Sequence, residues 1–318
     1  MTASDLQQAV RLLEGAETVI VCCHVAPDGD ALGSMIGLGR FLGRKGKKVW
    51  MSWGSDNPRV PPQYAFLPGL DDLSAHDQLP DNADVFVAID CGDIGRLELL
   101  QGKFHTATST INVDHHISNN LFADVNIVEP DRASSSELAF ELIKAFGEMP
   151  DAEEAMCLYT GIVTDTGRFQ YPSTSAETLR SAAELRDLGI EHHVVGEEVY
   201  ESASFGFLRV LGIVLSRARL DEGIVWSWVE QADLDGLDLD ETEHFIDVLR
   251  SVRGSKVAVI LKQVPEGTYK VSLRSRGEVD VSALAQRFGG GGHARAAGFT
   301  SHRAVDETMA AIKSAIGS

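Results

Sequence analysis

Apolar positions along this chain follow two rhythms. In the first half, short runs rich in apolar and β-branched residues predict strands over 18–23, 48–52, 84–89, 110–113 and 124–128. These runs are nearly continuous in hydrophobicity and alternate with helical patterns such as 31–42. That combination predicts a mostly parallel sheet with helices on both faces. From about 134 to 216 the spacing becomes helical. Ser134, Ser135 and Ser136 can start a helix reaching 146, and Asp151, followed by Glu153 and Glu154, is a good N-cap for one running towards 166. Another helix covers 176–188 and stops at Gly189. Residues 190–204 read as a linker. Beyond them, 224–230 alternates around Trp226 and Trp228, and 257–264 and 268–274 are strands separated by Pro265-Glu266-Gly267, a hairpin signal. The acidic stretch 233–243 reads as a solvated loop and helix start. A helix over 281–288 leads into four glycines, and an amphipathic helix begins near Val305. The fold class is α/β: an N-terminal domain over 1–189, a smaller α+β domain over 205–318, and an active-site cleft expected between them.

Composition narrows the function. A chain of 318 residues is long enough for two domains with separate cores. Its net charge of −19 argues against a long, non-specific grip on duplex nucleic acid. A short anionic substrate in a local pocket remains compatible, because bound metal ions reverse the sign of the field there. No apolar run approaches the roughly 20 residues of a bilayer span, and no basic-then-apolar leader pattern opens the chain. The expectation is a cytoplasmic protein with no membrane partner. Cys22, Cys23, Cys91 and Cys157 read as small buried hydrophobes, with Cys22 and Cys23 facing opposite ways on one strand.

Candidate chemistry gathers at strand ends. Asp114-His115-His116 follows Thr110-Ile111-Asn112-Val113. A lone His pair is more often a surface turn, but a carboxylate beside two imidazoles also suits Mn²⁺, Fe²⁺ or Zn²⁺. His24-Val25-Ala26-Pro27-Asp28-Gly29-Asp30 follows the first strand and can project one imidazole and two carboxylates into one loop. Asp90 closes the apolar run 84–89, where an unpaired carboxylate is costly. Asp93 reads as a helix cap or an outer support. Asp165 shares a helix face with Ala155, Leu158 and Ile162, so it points inward, and either a metal or Arg168 must answer its charge. In open α/β sheets, ligands bind beyond the carboxyl ends of the strands. His24, Asp28, Asp30, Asp90, His115 and Asp165 together offer donors for two ions. Asp90, if shared between them, would hold the ions about 3.5–4 Å apart. The reaction class is metal-assisted phosphoester hydrolysis, with no Ser or Cys nucleophile required.

A second signal lies near the C-terminus. Gly289-Gly290-Gly291-Gly292 permits close backbone approach to a phosphate, and His293 and Arg295 add donors. Arg274 and Arg276 flank Ser275 and make a small basic patch on an acidic chain.

These motifs, in this order, resemble the DHH phosphoesterase family: His24-x-x-x-Asp28-x-Asp30, Asp90, Asp114-His115-His116 and Asp165. The tail over 289–298, with Arg274 upstream, resembles the DHHA1 domain, so the resemblance spans nearly the whole chain. Length and layout are similar to the bacterial nanoRNase and pAp phosphatase group. That resemblance implies two Mn²⁺ ions per chain, with Mg²⁺ or Co²⁺ as substitutes. It implies short single-stranded RNA or DNA oligonucleotides, 3′-phosphoadenosine 5′-phosphate (pAp) and linear dinucleotides as substrates, and a homodimer as the assembly. It assigns His24, Asp28 and Asp90 to one ion and Asp30, Asp90, His115 and Asp165 to the other. His116 would contact the scissile phosphate and Asp114 would orient the imidazoles. Arg274, Arg276, Gly290, Gly291, Gly292, His293 and Arg295 would grip the substrate's other end. Competing readings are a cyclic di-AMP phosphodiesterase, a RecJ-like single-strand exonuclease, and a non-catalytic nucleotide sensor.

Overall fold

A computed structural model describes residues 3–56, 59–234, 244–264, 267–277 and 279–316, the side chains of Ala3 and His293 excepted. Pro265 and Glu266 of the expected hairpin turn, and 235–243 of the acidic stretch, lie outside the described residues. The chain divides into two compact units, Met1–Ser202 and Ala203–Ser318.

The first unit runs α1 (Ala3–Gly15), β1 (Thr18–Cys23), α2 (Gly29–Arg44), β2 (Lys48–Trp53), β3 (Val85–Ile89), α3 (Gln101–Thr106), β4 (Ser109–Asp114), β5 (Val125–Val128), α4 (Ser135–Ala145), α5 (Ala152–Asp165), α6 (Ala176–Asp187) and α7 (His192–Tyr200). Its strands form one parallel sheet in the order β2-β1-β3-β4-β5. The two-residue period of a strand divides their side chains between two cores. Val19, Val21, Cys23, Val87, Ile89 and Val113 pack with the helices on one face. Ile20, Cys22, Phe86 and Ala88 pack under Leu97, Leu100 and Phe104 on the other. The helices therefore cover both faces, and the four cysteines are free and buried.

The segment 190–204 is not a linker. Most of it is α7, whose Val195 and Val199 are buried in the first core beside Ile190, so the first unit extends through Ser202. Apolar positions spaced along one short helix are too few to separate a packed helix from a bridging segment.

The second unit runs α8 (Phe205–Arg217), β6 (Arg219–Asp221), β7 (Ile224–Val229), α9 (Phe245–Arg250), β8 (Val257–Gln263), β9 (Tyr269–Ser275), α10 (Val281–Gln286), β10 (Gly291–His293), β11 (Ala296–Ser301) and α11 (Val305–Ile316). Its sheet has the order β10-β11-β9-β8-β7-β6 and is antiparallel except between β7 and β8. Ile224, Trp226, Val259 and Leu273 face a core with α10 and α11, while Val225, Val229, Ala258 and Ile260 face one with α8 and α9. No single helix among the described residues is long and apolar enough to cross a membrane.

Two close helix crossings set the geometry of the first unit. Gly33 in α2 lies against the backbone of Cys157 and Gly161 in α5, and a methyl group there would collide with the Cys157 carbonyl oxygen. A methyl group on Gly161 would collide with Ser136 Oγ and lie 2.8 Å from Asp30 Oδ1. Small residues at this crossing bring α2, α4 and α5 together beside the carboxyl ends of the strands. Gly33→Ala is expected to cost about 1–3 kcal/mol or more in urea unfolding, since the obstacle is backbone. Gly43→Ala on the same helix meets nothing within 4 Å and is expected to be neutral or stabilising by roughly 0.5–1 kcal/mol.

Candidate metal centre and active site

Each chemical side chain is delivered by the end of an element. His24 follows β1, Asp90 follows β3, Asp114 ends β4, and His115 and His116 come next. Asp28 caps α2, accepting from the Asp30 and Ala31 amides at 3.1 and 3.0 Å. Asp30 lies in the first turn of α2, and Asp165 ends α5. Asp90 sits in the left-handed region at φ 57°, a conformation disfavoured for a non-glycine residue, and its amide donates to the Val113 carbonyl at 2.9 Å.

The groups converge. Ligand atoms of His24, Asp28 and Asp90 lie within 4.8 Å of one another, as do those of Asp30, His115 and Asp165, and those of Asp90, His115 and His116. Asp90 turns Oδ2 to His24 Nε2 at 3.4 Å and Oδ1 to His115 Nε2 at 3.7 Å. His115 Nε2 also lies 3.4 Å from Asp165 and 4.0 Å from Asp30. The opposite ring nitrogens are committed elsewhere. His24 Nδ1 lies 2.8 Å from the Val25 carbonyl oxygen, His115 Nδ1 lies 3.3 Å from that of Arg132, and His116 Nδ1 lies 2.6 Å from Asp114 Oδ1. Such bonds fix the tautomer, and the Nε2 atoms of His24 and His115 face the carboxylates.

Supporting residues that the sequence reading did not single out hold this arrangement. The α4 amides of Ser135 and Ser136 donate to the two oxygens of Asp30 at 2.6 and 2.8 Å, and Ser135 Oγ donates to Asp90 Oδ1 at 2.9 Å. A helix N-terminus is a favourable place for a carboxylate. The serine run signals the helix start, but its partner lies 105 residues away. Asn119 reaches Asp114, and Arg132 is fixed by the buried Glu137 at 2.9 Å. Arg168 does not answer Asp165. Gly167, Arg168 and Phe169 take φ values of 54°, 61° and 63°, and the guanidinium lies 4.6 Å from the Tyr200 ring centroid. Asp93 caps the short 3₁₀ segment Ile94–Leu100, accepting from Gly95 at 2.6 Å.

The electrostatics are those of an acid cluster seeking cations. Burial, with Asp90 beside it, pushes the Asp30 carboxyl up to about 7. Burial and then Asp30, Asp90 and Asp28 raise Asp165 well above the carboxylate range. Burial opposes the Asp90 charge too, yet the hydrogen bond with His24 and the charges of His115, His24 and His116 hold it below the usual value. Burial opposes the charged forms of His24 and His115, but the carboxylates around them, Asp90 first for His24 and Asp30 first for His115, keep both raised. The hydrogen bond to Asp114 raises His116. Mixed oxygen and nitrogen donors, and carboxyls that resist ionising together, fit a divalent-cation site.

In the second unit the glycine run is not an open loop. Gly291–His293 form β10, paired with β11 through a turn at Ala294 and Arg295. Gly290 packs so closely on Gly298 and Phe299 that a methyl group would collide with the Gly298 carbonyl oxygen, and Gly292 takes φ 137°. These glycines therefore meet the sheet itself. Arg274 pairs in register with Ala296, the Ser275 amide donates to the Arg295 carbonyl at 3.0 Å, and Arg276 follows at the end of β9. Arg274, Arg276 and Arg295 thus share one end of this sheet, and the His293 side chain lies outside the described set.

Residues 18–162 match the DHH family, N-terminal domain, and residues 227–318 match the DHHA1 domain. The chain is 34% identical over 297 residues to the bifunctional oligoribonuclease and PAP phosphatase NrnA of Thermus thermophilus, covering 92% of this chain and 86% of that one. It is 26% identical to the protein of the same name from Bacillus subtilis, covering 92% and 91%. A crystal structure of an exopolyphosphatase-related protein from Bacteroides fragilis superposes with a TM-score of 0.93 at 27% identity, covering 99% of this chain and 96% of that one. By sequence, domain content and fold, the chain belongs to the DHH family of phosphoesterases, in its DHH–DHHA1 arrangement.

Proposed function

We propose that this protein is a manganese-dependent phosphoesterase that hydrolyses short oligoribonucleotides to nucleoside monophosphates and pAp to AMP. The observation that carries the reading is Asp90, which turns one oxygen to each of two donor sets. His24, Asp28 and Asp90 would hold one ion. Asp30, Asp90, His115 and Asp165 would hold the other. Divalent ions there would acidify a water and neutralise phosphoryl oxygens. The chain's own residues do the rest. Ser135 and Ser136 fix Asp30, and Arg132 fixes His115 through its carbonyl. His116, tied through Nδ1 to Asp114, offers Nε2 to the scissile phosphate. Arg274, Arg276 and Arg295, with His293 and the backbone at Gly290, Gly291 and Gly292, would take a non-scissile phosphate. The relatives named above, active by name on oligoribonucleotides and pAp, support this substrate class. So does the net charge of −19, which disfavours long polyanions.

Asp90→Asn tests the ligand assignment, because asparagine tolerates the left-handed backbone there. The expected result is a folded protein whose kcat on pAp falls by more than the roughly 10–100-fold typical of outer-sphere substitutions, with Mn²⁺ binding weakened. Retained activity would overturn the assignment. Substrate length is tested with Mn²⁺ on pAp, pApA, cyclic di-AMP and a 24-residue RNA. Turnover is expected on the first two and to fall steeply with length. Equal rates on the dinucleotide and the long RNA, or a preference for the cyclic dinucleotide, would replace this reading.

The acid cluster also sets a pH dependence for the metal-free protein. Asp30 and Asp165 have folded pKa values above their unfolded ones, so folding binds protons that the unfolded chain has released. Their contribution to stability is therefore present at low pH and lost as pH rises, for Asp30 between about 4 and 7. The raised His24, His115 and His116 act in the same direction at higher pH. Asp90 acts oppositely, but its window lies below the ordinary carboxylate pKa. Melting scans without metal should show a lower Tm at pH 8 than at pH 5, with Mn²⁺ closing most of the gap. A metal-free Tm that rises over this range would contradict the cluster's electrostatics.

A further inference from the structure

Asp114 has no exposed surface, so its carboxylate needs a donor on each oxygen. Oδ1 accepts from His116 Nδ1 at 2.6 Å. Oδ2 accepts from the side-chain amide of Asn119, also at 2.6 Å. Asn119 is itself held on several sides. Its Nδ2 donates to Asn112 Oδ1 at 2.7 Å and lies 3.2 Å from the Cys91 carbonyl oxygen. Its Oδ1 accepts from the Leu121 amide at 2.7 Å, and its own amide donates to the His116 carbonyl at 3.1 Å. Asn112, buried within β4, is anchored by Nδ2 to the Ala88 and Cys91 carbonyl oxygens, each at 3.2 Å. A continuous chain of hydrogen bonds therefore runs from the sheet backbone through Asn112, Asn119 and Asp114 to the imidazole of His116.

We propose that Asn119 is a positioning residue for phosphoester hydrolysis, fixing the plane of the Asp114 carboxylate and, through it, the tautomer and direction of His116. The inference rests on the hydrolase reading above. Its physical content is a count of donors. Asp114 belongs to none of the three donor clusters among the described residues, and its oxygens are held by His116 and Asn119. With the Asn119 amide removed, Oδ2 is buried without a donor, the carboxylate rotates to find one, and the His116 Nδ1–H loses its fixed acceptor. The partners of Asn119 are Asn112, Asp114, the Leu121 amide and the carbonyls of Cys91 and His116, none of them a group assigned to a metal, so the metal-ligating groups should be little affected.

The test is a double-mutant cycle on the full chain loaded with Mn²⁺, using pAp. Asn119→Ala is expected to lower kcat by about 10–100-fold, as for other residues that orient a functional group. The Mn²⁺ dissociation constant, from calorimetry, should change by less than about threefold, since the ligands lie outside the network. In the His116→Ala background the same substitution should cost no more than about twofold, because the group it positions is gone. Equal losses in both backgrounds, or a kcat loss matched by loss of Mn²⁺ binding, would overturn the proposal. Asn119→Asp preserves shape and replaces the donor by an acceptor, and it should be at least as damaging as alanine. If both variants fail to fold, Asn119 serves the fold alone and the proposal fails. An inactive wild type would instead count against the hydrolase reading. The proposal is then judged by proton NMR, in which the downfield His116 Nδ1–H resonance should shift or vanish in Asn119→Asp, and an unchanged resonance would refute it.

Discussion

Crowded negative charge at the carboxyl ends of β1, β3 and β4 is the constraint on which the first unit is organised. Asp30 and Asp90 are buried, Asp165 lies close to both, and Asp28 adds to the same field. Coulomb repulsion at such separations is several times stronger than in water. Without compensation the cluster would protonate, and the raised pKa values of Asp30 and Asp165 express that tendency. Three kinds of compensation meet there: the imidazoles of His24, His115 and His116, the α4 amides on Asp30, and, in the proposed function, divalent cations. A site in which the carboxyls are strained by one another until a cation arrives is prepared for binding one.

Packing keeps that charge together. The α2–α5 crossing is close because Gly33 and Gly161 carry no side chain, and the same closeness sets Asp30 beside the start of α4. The left-handed Asp90 backbone turns its carboxylate towards both donor sets instead of continuing β3. A strained residue persists where its surroundings over-determine it. Here the Val113 carbonyl on the Asp90 amide and the Ser135 hydroxyl on its side chain do so.

The second unit treats charge differently. On a chain of net −19, Arg274, Arg276 and Arg295 gather at one end of a sheet whose edge is the β10–β11 hairpin. The glycines beside them are needed for close strand contact, as Gly290 against Gly298 makes plain. Their backbone groups are therefore partly committed to the sheet, and the side chains are the more available donors for an anion. Local positive charge on an acidic body attracts a small anion without offering a long one a continuous track.

Much of this was legible in the chain alone. Apolar periodicity marked the five parallel strands, and the capping residues Ser134 and Asp151 stand where α4 and α5 begin. Acidic and imidazole residues at strand ends marked the region where the site forms, since a charge after a buried strand needs a partner. What could not be read were relations across long separations. Ser136 on Asp30 and Gly161 against Ser136 depend on how helices pack, and even the nearby contacts of Asn119 with Asn112 and Asp114 depend on how one loop folds back, which no local propensity encodes. The same limit hid α7, whose few apolar residues acquire meaning only from the core they enter, and the β10–β11 hairpin, whose glycines read as room for a phosphate until a strand lay beside them. Local sequence marked the candidate residues for the chemistry and the elements that present them. The tertiary structure decided their partners, because burial, close approach and shared hydrogen bonds exist only once distant segments meet.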